Sequence, residues 1–99
     1  MKASCITEQE LKQFLSDHPK WAVEIKNEIP NLIWENRFPN FLEAFKLITS
    51  IALVSEKLDH HCLLINEYNF LKISIHTHET KSITTKDLFW IKSVFGENP

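Results

Sequence analysis

The chain has 99 residues, 43% of them hydrophobic, and this is the usual size of one domain with a modest core. Its 13 acidic and 11 basic residues are spread along the sequence and give a formal charge of -2, so no basic patch favours nucleic acid or an anionic membrane as a partner. The two cysteines, Cys5 and Cys62, make no disulfide framework and no apolar signal segment follows Met1, so we expect a single domain over residues 1–99 in a reducing, cytoplasmic compartment.

The first half of the chain predicts a helix followed by a β-hairpin. Thr7 begins a Thr-x-x-Glu capping box, which starts a helix that ends at His18-Pro19. Alternation of apolar and polar residues predicts strands over Trp21 to Ile25 and Leu32 to Phe38, with a turn at Pro30-Asn31 between them. The sequence has one glycine, so tight turns that need a positive φ must use Asn or Asp, and glycine-rich phosphate loops are excluded.

A long amphipathic helix is predicted next. Asn40 and Glu43 form an Asn-x-x-Glu start, and apolar or small residues then recur with a period of 3.6 until about Leu58. The predicted core-facing stripe consists of Phe41, Ala44, Phe45, Ile48, Ile51, Ala52 and Ser55.

The last third of the chain predicts two strands and a final helix. Leu63 to Tyr68 is the third strand and Asn69 to His78 the fourth, whose alternation leaves His78 on the polar face. Thr84 and Asp87 form a second capping box, which starts the last helix, and Gly96 ends that helix.

The order α-β-β-α-β-β-α predicts an α+β fold, a four-stranded antiparallel sheet with three helices on one face. We expect the protein to form homo-oligomers, because the second strand carries Trp34 and the fourth strand has an open edge or face.

Three of the five histidines, His60, His61 and His78, form an ordered set with Glu56 before them and Asp87 after them. Histidine can both give and accept a proton near neutral pH, so several imidazoles near a carboxylate indicate proton-transfer chemistry. Each residue also has a purely structural explanation. A histidine after the long helix can cap its last carbonyl groups, His78 can be a solvated edge residue, and Asp87 can serve the capping box alone.

Two other chemistries are weighed against acid–base catalysis. The set His60, His61, Cys62, His76 and His78 contains possible metal ligands, but it has no CxxC or HExxH spacing, and adjacent extended histidines diverge. A metal site is therefore not predicted. Cys62 with His61 as its base could form a nucleophilic pair, but nothing marks an oxyanion hole or a third orienting group.

Taken in order, Glu56, His60-His61-Cys62, Tyr68, His78 and Asp87 resemble the signature of the pterin-4a-carbinolamine dehydratases. The similarity covers nearly the whole chain. Further matching segments are Trp21, Arg37-Phe38-Pro39-Asn40-Phe41, Glu43-Ala44-Phe45, Tyr68-Asn69 and Thr77-His78-Glu79.

The resemblance implies dehydration of a 4a-hydroxytetrahydropterin to quinonoid dihydropterin, in a homodimer or homotetramer and without a metal or organic cofactor. It implies that His60 and His78 are the acid–base groups, that His61 holds the pterin and assists, and that Asp87 orients or charges an imidazole. The implied substrate-binding residues are His61, Cys62, Glu56 and Tyr68.

The sequence departs from the family pattern at two places. Cys62-Leu63 stands where the family usually has proline followed by an acidic residue, and Ser82-Ile83-Thr84 replaces Gly-Leu-Thr.

The family also contains binding proteins that stabilise dimers of a homeodomain transcription factor, and relatives of the fold assist assembly of ribulose bisphosphate carboxylase. Because such relatives typically lose part of the histidine set, its retention here favours the enzyme over a binding module.

Overall fold

A computed structural model of the chain describes residues 4–96; the expectation that no apolar signal segment follows Met1 falls partly on residues outside this range. The observed order is the predicted α-β-β-α-β-β-α. The elements are α1 (Glu8–Asp17), β1 (Trp21–Lys26), β2 (Ile29–Arg37), α2 (Phe41–Leu58), β3 (Leu63–Glu67), β4 (Phe70–Ile75) and α3 (Thr85–Phe95).

The four strands form one antiparallel sheet in the order β1-β2-β4-β3. Two hairpins therefore meet along the central pair, where Leu32 faces Ile75 and Trp34 faces Ile73. Alternate residues of β4, namely Leu71, Ile73 and Ile75, are fully buried beneath the helices, which confirms the predicted α+β fold with its helices on one face.

All three predicted helix starts are confirmed. Thr7 and Thr84 each close a capping box, with Glu10 and Asp87 as the reciprocal residues, and the Asn40 side chain accepts a hydrogen bond from the amide of Glu43. These caps satisfy backbone N–H groups that have no partner inside the helix. Within residues 4–96, no helix is both long and apolar enough to cross a membrane.

The turn between β1 and β2 differs from the prediction. It lies at Asn27 and Glu28, which both have left-handed φ angles of 52° and 67°, and Pro30 is inside β2 opposite Ile25. Two residues with positive φ give the tight hairpin turn that matches strand twist. Since β4 pairs with β2 only from Leu32 onward, the missing N–H of Pro30 interrupts no bond with β4.

The absence of suitable glycines places other residues in the left-handed region as well. Asn27 and Asp59 follow the expectation that Asn or Asp would be used, whereas Glu28, Tyr68 and Lys81 do not. The predicted strand ends also shift, because Tyr68 lies in the β3–β4 turn and β4 stops at Ile75 rather than His78.

The buried face of α2 and the open edges of the sheet also differ from the prediction. Ala44, Ile51 and Ser55 are buried as expected, but Phe41 and Phe45 are 45% and 47% exposed, and Ala52 is exposed as well. The edges are β1 and β3, because β4 has a strand on both sides. Trp34 is buried in the core, so it offers no surface for association.

We expect replacement of Glu28 by Gly to stabilise the protein. Glycine adopts a positive φ without a steric penalty, so the free energy of unfolding should rise by about 0.5–1 kcal/mol in urea denaturation. Ala22→Gly, in the adjacent strand, is the matched control and should lower stability by a similar amount. If both variants lost stability, Glu28 would not be strained.

Candidate active site

A buried carboxylate lies at the start of α3. Asp87 is completely buried, and its Oδ1 is 2.6 Å from Nε2 of His60. Its Oδ2 accepts hydrogen bonds from the Thr77 hydroxyl and the Thr84 amide, both at 2.8 Å. Because buried polar groups are costly without partners, these bonds hold the carboxylate in one orientation. Asp87 therefore belongs to the capping box and also contacts a histidine.

His60 reaches this carboxylate from the end of α2. Asp59 ends the helix in the left-handed conformation, and the His60 amide donates to the carbonyl of Ser55 at 3.1 Å. The Ser55 hydroxyl in turn accepts a hydrogen bond from the indole of Trp90 in α3. The backbone amides of Asp59 and His60 both donate to the Ser55 carbonyl at the end of the helix, so the His60 ring is not needed as a cap and pairs with Asp87 instead.

The pairing fixes which ring atom of His60 carries a proton. A carboxylate oxygen only accepts, so Nε2 of His60 carries a hydrogen and donates it to Asp87. His60 is 5% exposed and lines a small cavity with Lys57, Lys86 and Phe89. Nδ1 is consequently the ring atom available for proton transfer.

His61 takes a different direction from His60, as expected for adjacent residues in an extended segment. Its Nε2 lies 2.7 Å from a carboxylate oxygen of Glu56, and both side chains are exposed. An exposed pair of this kind contributes little to stability. Glu56 thus orients an imidazole at the surface.

A cleft on the sheet face away from the helices joins several of the predicted residues. It has a volume of about 180 Å³, and its walls include His61, Cys62, His76 and His78. Ligand pockets commonly measure about 300–1,000 Å³, so this cleft can enclose only part of a ligand.

His78 enters the cleft from a short loop. Two backbone hydrogen bonds join Thr77 to Ser82 and hold the ends of the loop that carries His78. The His78 side chain is exposed, and its ring lies 4.5 Å, centroid to centroid, from that of His76. The imidazole is therefore free to meet a ligand.

Cys62 lines the same cleft but lacks the properties of a nucleophile. Burial raises the pKa of its thiol to about 11, and the backbone hydrogen bond that lowers the pKa is the weaker effect. At neutral pH almost all of the thiol is protonated, and a thiol is a poor nucleophile. The structure thus offers no support for the alternative in which Cys62 attacks a substrate.

Tyr68 is not brought to this cluster. It lies in the β3–β4 turn, at the opposite end of β3 from Cys62, and 65% of it is exposed. A strand of this length spans about 17 Å, so a ligand in the cleft would be beyond the reach of Tyr68 of the same chain.

Two residues near the site, Thr77 and Asn31, were not assigned roles from the sequence. Thr77 holds Asp87, while Asn31 bonds to His76 beside the cleft. Asn31 is contributed by β2, so only the strand pairing brings it near the histidines.

Within residues 4–96, no three His, Cys, Asp or Glu side chains are arranged to hold a metal ion.

Comparison with known proteins shows the family of the chain. A sequence profile described as pterin 4 alpha carbinolamine dehydratase matches residues 4–94. The chain belongs to the pterin-4a-carbinolamine dehydratase family. A relative from Prochlorococcus marinus (strain NATL2A), provisionally named pterin-4-alpha-carbinolamine dehydratase, is 39% identical over 85 residues, which are 86% of this chain and 85% of the relative.

Two further relatives of the family extend the comparison. A protein from Burkholderia orbicola (strain MC0-3) with the same provisional name is 33% identical and covers 92% of this chain and 87% of its own length. A crystal structure described as a transcriptional coactivator/pterin dehydratase from Brucella melitensis superposes with a TM-score of 0.81 at 25% identity. It covers 97% of this chain and all of the other.

We expect Asp87→Asn to change the tautomer of His60. The amide has a single oxygen, which would face the donors Thr77 and Thr84, so its NH₂ group would face His60 Nε2. Nε2 would then have to accept and Nδ1 would carry the hydrogen. ¹⁵N NMR of the imidazole should show this exchange of protonated nitrogen, and stability should fall by about 1–3 kcal/mol.

The control for this variant is Thr77→Val, which removes one donor to the same carboxylate but leaves the bond to His60 in place. It should lower stability without altering the His60 tautomer. Identical imidazole spectra in Asp87→Asn and wild type would contradict the assignment of Nε2 as the donor to Asp87.

Proposed function

We propose that the protein dehydrates pterin-4a-carbinolamine, the 4a-hydroxytetrahydrobiopterin class of compound, to quinonoid dihydropterin and water, as a hydro-lyase in pterin recycling in the cytoplasm. The proposal rests on the buried pair of Asp87 and His60 in a member of this family. The neighbouring cleft contains His61 and His78. His60 does not line this cleft but the separate small cavity beside Lys57, Lys86 and Phe89. A buried carboxylate that orients a histidine is characteristic of acid–base sites.

The reaction needs two proton transfers and no change in oxidation state. The bond between C4a and the hydroxyl oxygen breaks, N5 loses its proton, and the N5 electron pair forms the C4a–N5 double bond. A general acid protonates the departing oxygen, so that water leaves, and a general base takes the N5 proton. These steps require imidazole groups and a place to hold the flat ring, and no bound metal or organic cofactor.

The proposed roles follow from how each histidine is held. His60 and His78 transfer protons: the Asp87 carboxylate fixes His60 and balances the positive charge of its imidazolium form. His61, oriented by Glu56, holds the pterin from the rim of the cleft, with Cys62 contributing to the wall.

A binding function is the alternative. The Brucella relative is described as both a transcriptional coactivator and a pterin dehydratase. On this chain, Phe41, Leu42 and Phe45 present exposed apolar surface on one end of α2, which a protein partner could cover. As a binding module alone, in transcription-factor dimerisation or carboxylase assembly, the protein would not require the Asp87–His60 pair.

The first test is the rate of dehydration of 4a-hydroxytetrahydropterin, measured by stopped flow against the spontaneous reaction. We expect acceleration without added metal and in the presence of a chelator. His60→Ala and His78→Ala should each lower turnover by about 10²-fold or more, as for loss of a general acid or base. His61→Ala should mainly weaken pterin binding.

Folding is checked in the same variants by circular dichroism and thermal unfolding. A rate equal to that of buffer, from folded wild-type protein, would favour the binding module. Loss of activity on chelation would favour a metal site instead. A fall in stability with unchanged turnover per folded molecule would leave His60 or His78 with a structural role only.

We also propose that the protein is a homodimer or homotetramer. Leu63 and Ile65 are exposed on the edge strand β3, and the apolar end of α2 is a second candidate surface. Sedimentation velocity at micromolar concentration should give a mass at least twice that of the chain. Ile65→Lys and Phe45→Glu would show which surface is used, and a monomeric wild type would contradict the proposal.

A further inference from the structure

Asn31 is a buried amide whose orientation is fixed by the backbone. Its Nδ2 donates to the carbonyl of Ile29 at 3.0 Å, so its Oδ1 must face the other way. That oxygen lies 2.8 Å from Nδ1 of His76 and 3.3 Å from the hydroxyl of Ser74. The β2–β4 register, in which Leu32 faces Ile75, brings Asn31 and His76 together.

The amide orientation determines the state of the His76 ring. Because Oδ1 of Asn31 only accepts, Nδ1 of His76 carries a hydrogen and donates it. The ring is therefore anchored at one nitrogen, and His76 is only partly exposed at the wall of the cleft. Its orientation is set by β2 and does not depend on a ligand.

His78 has no comparable anchor. Within residues 4–96, no hydrogen bond reaches its imidazole, although the backbone at either end of its loop is held by Thr77 and Ser82. Its ring contact is with His76, at an interplanar angle of 58°. A proton-transferring group loses rate steeply when it is misplaced, so a neighbour that limits its rotamers affects the chemistry.

The charges around His76 favour a neutral ring. Burial lowers its pKa most, the charges of His78 and His60 lower it further, and the negative charge of Asp87 opposes them. Lys26 and His61, on the walls of the same cleft, add no negative charge. A neutral His76 at pH 7 can lie against His78 without repelling the imidazolium form of that residue.

We propose that His76 is a positioning residue for His78: anchored by Asn31, its ring confines the His78 imidazole to the orientation in which it faces the cleft. This inference rests on the proposed function, because it assumes that His78 transfers a proton. It assigns the Asn31–His76 pair a role in turnover rather than in substrate contact.

The kinetic test is His76→Ala. It should lower kcat by about 10-fold and change KM by less than about 3-fold, because the substrate contacts remain and the proton-transferring group is disordered. His18→Ala is the matched control, since His18 is also partly buried with its Nδ1 bonded, to the carbonyl of Phe14, but lies at the end of α1. It should leave both constants unchanged.

His76→Asn guards against loss of folding in the alanine variant. Its amide can retain a donor toward Asn31 but has no ring, so kcat should fall as in His76→Ala while thermal stability stays closer to wild type. Unchanged kcat in both variants would overturn the proposal. A rise in KM of more than about 10-fold at constant kcat would also overturn it, because His76 would then contact the substrate itself.

A spectroscopic measurement separates this proposal from the proposed function. ¹H–¹³C NMR of the His78 ring should show one orientation in wild type and averaged resonances in His76→Ala, whether or not the protein turns over a pterin. Averaged His78 resonances in wild type would overturn the positioning role even if catalysis were observed. An ordered ring in an inactive protein would leave the geometry intact and reject dehydration.

Discussion

The buried carboxylate of Asp87 is the constraint on which the site depends. It is completely buried, and it accepts hydrogen bonds from three parts of the chain: the segment after α2, the segment after β4 and the start of α3. Removing any one of these donors leaves part of a buried carboxylate unsatisfied, which is costly in a low-dielectric interior. The position of His60 is therefore determined by the same interactions that dock α3 on the sheet. Ser55 adds to this arrangement, because its hydroxyl holds Trp90 and its carbonyl holds the backbone of His60.

The structural features that could be predicted from the sequence depend on residues close together in the chain. The capping residues Thr7, Asn40 and Thr84 each act within a few residues, so the three helix starts follow from spacing alone. The alternation of β4 likewise identifies its buried face. The same kind of reasoning indicated that His60 and His61 diverge, and in the structure one is buried against Asp87 while the other is exposed beside Glu56.

The features that sequence could not predict depend on contacts between distant segments. Phe41 and Phe45 fit the apolar stripe predicted for α2, but the side of the helix that packs on the core includes Leu47 and Val54 instead, and both phenylalanines are exposed. Pro30 suggested a turn because proline usually cannot join a central strand, yet β4 ends before reaching it. His76 could be placed on the polar face, but its partner Asn31 is identified only by the register between β2 and β4. The bond between Asp87 and His60 could not be predicted either, because the spacing of a capping box does not reveal what else the carboxylate contacts.

The capping box of α3 has a consequence for comparing this chain with its relatives. Asp87 starts a helix and satisfies buried donors, so selection for a stable fold alone would retain it in a descendant that no longer performs any reaction. The exposed imidazole of His78 satisfies no buried group, so selection for a stable fold alone would not retain it. Under the proposed function, retention of the surface histidine in a relative would therefore be a better marker of a working enzyme than retention of the buried aspartate. Under the same proposal, a relative with Asp87 but without His78 would keep the stable fold and lack one of the two proton-transferring groups.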